Sequence, residues 1–145
     1  MVSPPRVSSK LAKPLLDTLN ASFKPYPQSS LPSILATVKT LHDAGVDILA
    51  GTDASVPMPA LGGVTHGASV HHELQLLVEA GHTPVEVLRV ATSVPAKRFG
   101  LEDRGVVAVG KRADLVLVRG NPTVDFGRTL DILGIWRSGS RVEVE

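Results

Sequence analysis

Apolar positions recur at helical spacing through most of the first hundred residues and in short or alternating runs after that. Leu11, Leu15, Leu16 and Leu19 share one side of a short helix over 10–19, with Pro14 acceptable only in its first turn. Residues 20–30, containing Lys24-Pro25-Tyr26-Pro27, read as a loop or extended piece, because proline keeps its predecessor out of the helical region. Ile34, Leu35, Val38 and Leu41 predict a better helix over 32–44, with Pro32 in its first turn and Gly45 just past its end. The run Val46-Asp47-Ile48-Leu49-Ala50 then predicts a strand buried on both faces, as in a parallel sheet. It stops at Gly51-Thr52-Asp53-Ala54, and an irregular loop follows, closed by Thr65-His66-Gly67. Val70, Leu74, Leu77 and Val78 predict a helix over 68–80 that Gly81 ends. Thr83-Pro84-Val85-Glu86 is a helix start: threonine as cap, proline at the first position, glutamate reaching back to the cap amide. That helix runs through Val87, Leu88, Val90, Ala91 and Val94 towards Phe99, bent or interrupted at Pro95.

The pattern changes at Gly100. Gly105 to Val109, Ala113 to Val118, Leu130 to Trp136 and Arg141 to Val144 read as short strands. Gly110-Lys111, Gly120-Asn121-Pro122 and Arg137 to Ser140 read as turns or breaks, and Thr123 to Thr129 as loop. The chain therefore divides into an N-terminal arm over 1–29, an α/β body over 30–99 and a small β portion over 100–145. No internal repeat is visible.

Composition narrows the chemistry. The 145 residues suffice for one ordinary core, and an apolar share of 43% fits a folded state. With 15 basic and 14 acidic residues, no basic stripe and few aromatic rings, nucleic acid is not an expected partner. Cysteine is absent, so thiolate chemistry is excluded and a metal would need histidine and carboxylate ligands. No stretch has the length of a membrane span, and the start lacks the pattern of a secretory signal. A cytoplasmic protein that does not engage membranes is the expectation.

Asp53 draws attention because chemistry in parallel sheets sits just past the carboxyl ends of the strands. On spacing alone it can equally cap a turn or the next helix, which aspartate does routinely. His66 ends the loop that Asp53 begins and is the second candidate. His42 reads as a surface position at the C-terminal end of its helix, where the dipole favours a cation. His71, His72 and Glu73 are adjacent, so on a helix they point apart and cannot converge on one ion. No phosphate loop, dinucleotide fingerprint or serine nucleophile elbow is present.

Four segments, in order, resemble the C-terminal part of the amidohydrolase superfamily, in particular its imidazolonepropionase-like and Xaa-Pro-dipeptidase-like branch. They are Ile48 to Ala54, His71 to Gly81, Thr83 to Thr92, and Gly105 through Gly110-Lys111-Arg112-Ala113-Asp114-Leu115 to Pro122. The resemblance implies an α/β fold: the C-terminal portion of a (β/α)8 TIM barrel plus the C-terminal half of a small β-sandwich. It implies that Asp53 ligands a divalent metal, with zinc expected, and takes a proton from the attacking water. Hydrolysis of a C–N bond in a small amide or peptide-like substrate would follow. It places His66 near the substrate and makes Asp114 structural, as are His71, His72 and Glu73. The family's other metal ligands, including a His-x-His pair, have no counterpart here and are expected to lie upstream of Met1 or to be lost. A whole barrel takes about 250 residues, so the chain alone is expected to hold no complete metal site. The alternatives are a split enzyme whose partner chain supplies the missing barrel, and a non-catalytic remnant that self-associates over exposed strand edges.

Overall fold

The computed structural model describes residues 12–19, 30–54 and 66–143. Among the described residues five helices come first: α1 (Lys13–Leu19), α2 (Leu31–Asp43), α3 (Ala68–Glu79), α4 (Pro84–Val90) and α5 (Ser93–Arg98). Three strands follow, β1 (Leu115–Val118), β2 (Ile132–Arg137) and β3 (Ser140–Val142), with a 3-10 turn at Phe126–Leu130 between the first two.

Local sequence explains the helix ends. Ser30 caps α2 by accepting from the Ser33 amide at 3.3 Å, and Pro32 occupies the first turn. Gly45 leaves the helix at φ +74°, a left-handed angle that glycine adopts without penalty. At α4 the reciprocal box forms as its four residues predict. The Glu86 amide donates to Thr83 Oγ1 at 3.3 Å, and the Thr83 amide donates to Glu86 Oε2 at 2.7 Å. The break after α4 falls at Ala91 and Thr92, earlier than the expected one at Pro95. Pro95 instead lies in the first turn of α5, where an amide has no intrahelical partner to lose.

The core is helical. Leu74 and Leu77 of α3 pack with Val87 and Val90 of α4, and Phe126 of the 3-10 turn joins them. Val38 of α2 and Ile48 and Ala50 of the segment after it close the cluster from the other side. Phe126 thereby ties the β portion to the helices. Its turn is fastened locally: Asp125 Oδ1 accepts from the Gly127 amide at 3.1 Å, and buried Thr129 Oγ1 donates to the Phe126 carbonyl at 3.0 Å. The expected loop over 123–129 thus contains a 3-10 turn.

The strands form one antiparallel sheet in the order β1-β2-β3. Leu117 faces Gly134 while Val118 faces Ile132, so the extra residue, Leu133, bulges from β2. Ser138 (φ +51°) and Gly139 (φ +81°) turn β2 into β3, both left-handed as a tight hairpin requires. Asp114 fastens this hairpin by accepting from the Ser138 amide at 2.7 Å, while Arg112 pairs with its other oxygen at 2.8 Å. That is the structural part expected of it.

Two expected strands are absent from the sheet. Val46 to Ala50 carries no ladder, and no parallel sheet occurs among the described residues. A parallel strand exists only beside another strand, and the described residues offer it helices instead. Gly105 to Val109 is likewise irregular. Gly105 sits at φ +87° so close to α5 that an added Cβ would lie 2.5 Å from the Ala96 methyl. The chain must turn there, and Val107 and Val109 then stand in solvent.

Candidate functional site

The site is built around the Val46–Ala50 segment. Its start is fixed by α2, since the Val46 amide donates to the Leu41 carbonyl at 3.0 Å. Its far end is fixed by α4, where the Ala50 amide donates to the Val90 carbonyl at 3.2 Å. Asp47, next to the first anchor, forms an ion pair with Arg98 of α5. Ile48 and Ala50 face the helical core, whereas Val46 and Leu49 are exposed. One side of the apolar run is therefore packed and the other bare.

The segment delivers Asp53 to the surface. Asp53 has φ +47°, a left-handed conformation that aspartate tolerates better than most residues. Thr52 Oγ1 accepts from the Ala54 amide at 3.2 Å and steadies this turn. The Asp53 carboxylate is exposed and caps no helix among the described residues. His66, the other expected site residue, lies exposed in the turn before Gly67, whose φ of +77° opens α3. No hydrogen bond or ion pair joins Asp53 and His66, and the residues between them, 55–65, lie outside the described ones.

His71, His72 and Glu73 occupy the first half of α3 and are half-buried. His71 Nδ1 and His72 Nε2 are buried without a hydrogen-bond partner among the described residues. Burial lowers the His71 pKa below the usual histidine value. Burial raises that of Glu73, and His72 partly opposes the rise. Both shifts express the cost of taking charge out of water.

Sequence reasoning missed one cluster. His42, expected at the surface, is half-buried, and its ring stacks on that of His82 with centroids 3.9 Å apart. His82 is only 4% exposed, and its Nδ1 donates to the Leu77 carbonyl at 3.1 Å. Glu86 Oε2 lies 3.9 Å from His42 Nε2. A signal did exist. His82 immediately precedes the capping threonine, the position from which an apolar side chain often packs against the start of the helix.

These residues do not make a metal centre by themselves. Among the described residues, no three histidine or carboxylate side chains converge as ligands, and Asp53 offers one carboxylate where a site needs three or four donors. No described helix is long and apolar enough to cross a membrane.

Comparison with known proteins places the chain. An imidazolonepropionase from Deinococcus deserti is 34% identical over 112 residues, covering 72% of this chain and 26% of that protein. An adenine deaminase from Klebsiella pneumoniae is 39% identical over 87 residues, covering 60% of this chain and 14% of that protein. Among solved structures, a Xaa-Pro dipeptidase with bound methionine in its active site superposes with a TM-score of 0.66 at 31% identity, over 78% of this chain and 26% of that one. Phenylurea hydrolase B gives 0.64 at 30% identity, over 73% and 26%. The chain thus spans about a quarter or less of the length of these relatives, and its α/β fold is related to amidohydrolase-type barrels. The amidohydrolase family model matches residues 10–144, nearly the whole sequence, and the chain belongs to the amidohydrolase family.

Proposed function

We propose that this chain contributes the last βα units and the C-terminal sandwich strands of a metal-dependent amidohydrolase of the imidazolonepropionase-like and Xaa-Pro-dipeptidase-like branch. Residues 30–99 are the barrel part, 100–145 the sandwich part and 1–29 an arm. The complete assembly hydrolyses a C–N bond in a small amide or peptide-like substrate. Asp53 is the carboxylate this chain brings to that reaction, as metal ligand and proton acceptor, and His66 approaches the substrate from the loop after it. The observation that carries this reading is the half-packed Val46–Ala50 segment: Ile48 and Ala50 lie on the helical core, Val46 and Leu49 are bare, and Asp53 stands at the tip. A barrel strand without its neighbours has this distribution, because both of its faces are made to be covered.

One carboxylate does not retain a catalytic ion. The purified chain is therefore expected to bind no stoichiometric zinc or manganese and to hydrolyse no acyl-amide. Elemental analysis checks this, and stoichiometric metal that disappears in Asp53→Ala would overturn it. An in-frame upstream coding sequence carrying His-x-His would make the chain part of an ordinary single-chain enzyme. The exposure of Ile34, Leu41, Val46, Leu49 and Val70 supports a second form of the same reading, in which a separate polypeptide bearing His-x-His covers them. A chain that stays monomeric and unfolds in one cooperative step would favour a non-catalytic remnant instead.

A further inference from the structure

The two helices that hold the Asp53-bearing segment are also joined to each other by a histidine pair. The segment begins at Val46, four residues after His42 of α2, and is held at Ala50 by the end of α4. His82 lies in the turn that opens α4, with its ring 3.9 Å from that of His42 and the two planes 30° apart. We propose that this stack is a proton-operated latch between α2 and the head of α4, closed while His82 is neutral. A proton on His82 opens it, and the opening loosens the frame around Val46–Ala50.

The hydrogen bonds specify where the proton goes. Nδ1–H of His82 donates to the Leu77 carbonyl at the end of α3, so Nε2 carries the free lone pair and takes a proton from solvent. The groups around it are ill suited to a second cation. From α2 come His42, Asp43 and Lys39, and Lys39 is already bound to Asp43 at 2.8 Å. The Lys39 stem also lies beside Gly81, next to His82. From the head of α4 comes Glu86, whose Oε2 already accepts from the amide and hydroxyl of Thr83, both at 2.7 Å. Glu86 lies on the His42 side of the stack. A proton on His82 sets a cation against the His42 ring at a position that is only 4% exposed. Burial first and the His42 charge second hold the His82 pKa below the usual histidine value. The Leu77 carbonyl, Glu86 and Asp43 oppose this more weakly.

The test is an imidazole and amide NMR titration of the full chain from pH 8 to 5, with a His42→Phe variant that keeps a stacked ring and removes its charge. In the wild type, His82 should titrate below about 6.5, and the amides of residues 46–50 should move with the same midpoint. In His42→Phe that midpoint should rise, because one of the two influences that lower it is removed. If His42→Phe does not fold, His42→Gln gives the same comparison. An unchanged His82 midpoint, or amides over 46–50 that do not follow it, would overturn the latch. The readout involves no hydrolysis, so its failure is separate from failure of the proposed function.

Discussion

Single residues in this chain do separable jobs, and several were readable in advance. Thr83 and Glu86 were, because a capping box is written in four consecutive residues. Its removal is a clean measurement: Thr83→Ala should cost about 1 kcal/mol in urea-induced unfolding. Asp114 was readable only through family resemblance, since its partner, the Ser138 amide, lies 24 positions away. Glu73 was not readable as a strained group, because burial of a helix position depends on what packs beside it. Its folded pKa is raised, so its charged form is penalised at neutral pH, and the stability it contributes is lost as pH rises through that value. Glu73→Gln should therefore raise the melting temperature at pH 7. The gain should vanish below the ordinary glutamate pKa of 4.5, where the carboxyl is protonated whether folded or not.

At the scale of elements, helices were legible and the extended segment was not. A 3.6-residue period is a property of one stretch of chain, so α2, α3 and α4 could be placed from Val38, Leu74 and Val87 and their neighbours. A ladder is a property of two stretches, and Val46–Ala50 has no second stretch among the described residues. Gly105 makes the same point: its strand-like context is overruled by α5 against its back. Gly105→Ala should cost about 1–2 kcal/mol for the left-handed backbone and about 1–3 more for displacing Ala96 and the Thr92 carbonyl. Thermal melts of this variant should show a large loss, whereas Gly110→Ala, equally left-handed but with open space around it, should show only the first part.

For the whole molecule, stability rests on a small helical core with Phe126 reaching into it from the β portion. Leu77→Ala removes a buried side chain from its centre and should cost about 2–5 kcal/mol. Acid should weaken the fold in a defined window. His71 and His82 both have lowered folded pKa values, so the unfolded chain takes up their protons first. Their contribution is fully present above about 6.5 and is lost as pH falls through the folded values, which denaturant titrations at stepped pH will trace. Asp53 was expected at the end of a strand, and the described residues form no strand over Val46 to Ala50 to carry it. The meeting of His42 with His82 was not legible in the sequence, because it depends on how α2 lies against the start of α4.

Trp136 is the sole tryptophan, and it lies on β2 with its ring against Gly134 and the Arg141 guanidinium 5.8 Å away. Its fluorescence therefore watches the sheet, while far-ultraviolet dichroism is dominated by the helices. The chain thus carries its own pair of optical channels, one for each part. If the Phe126 tether welds the parts together, the two melting curves will overlay; a sheet that lets go first will show as emission changing ahead of ellipticity.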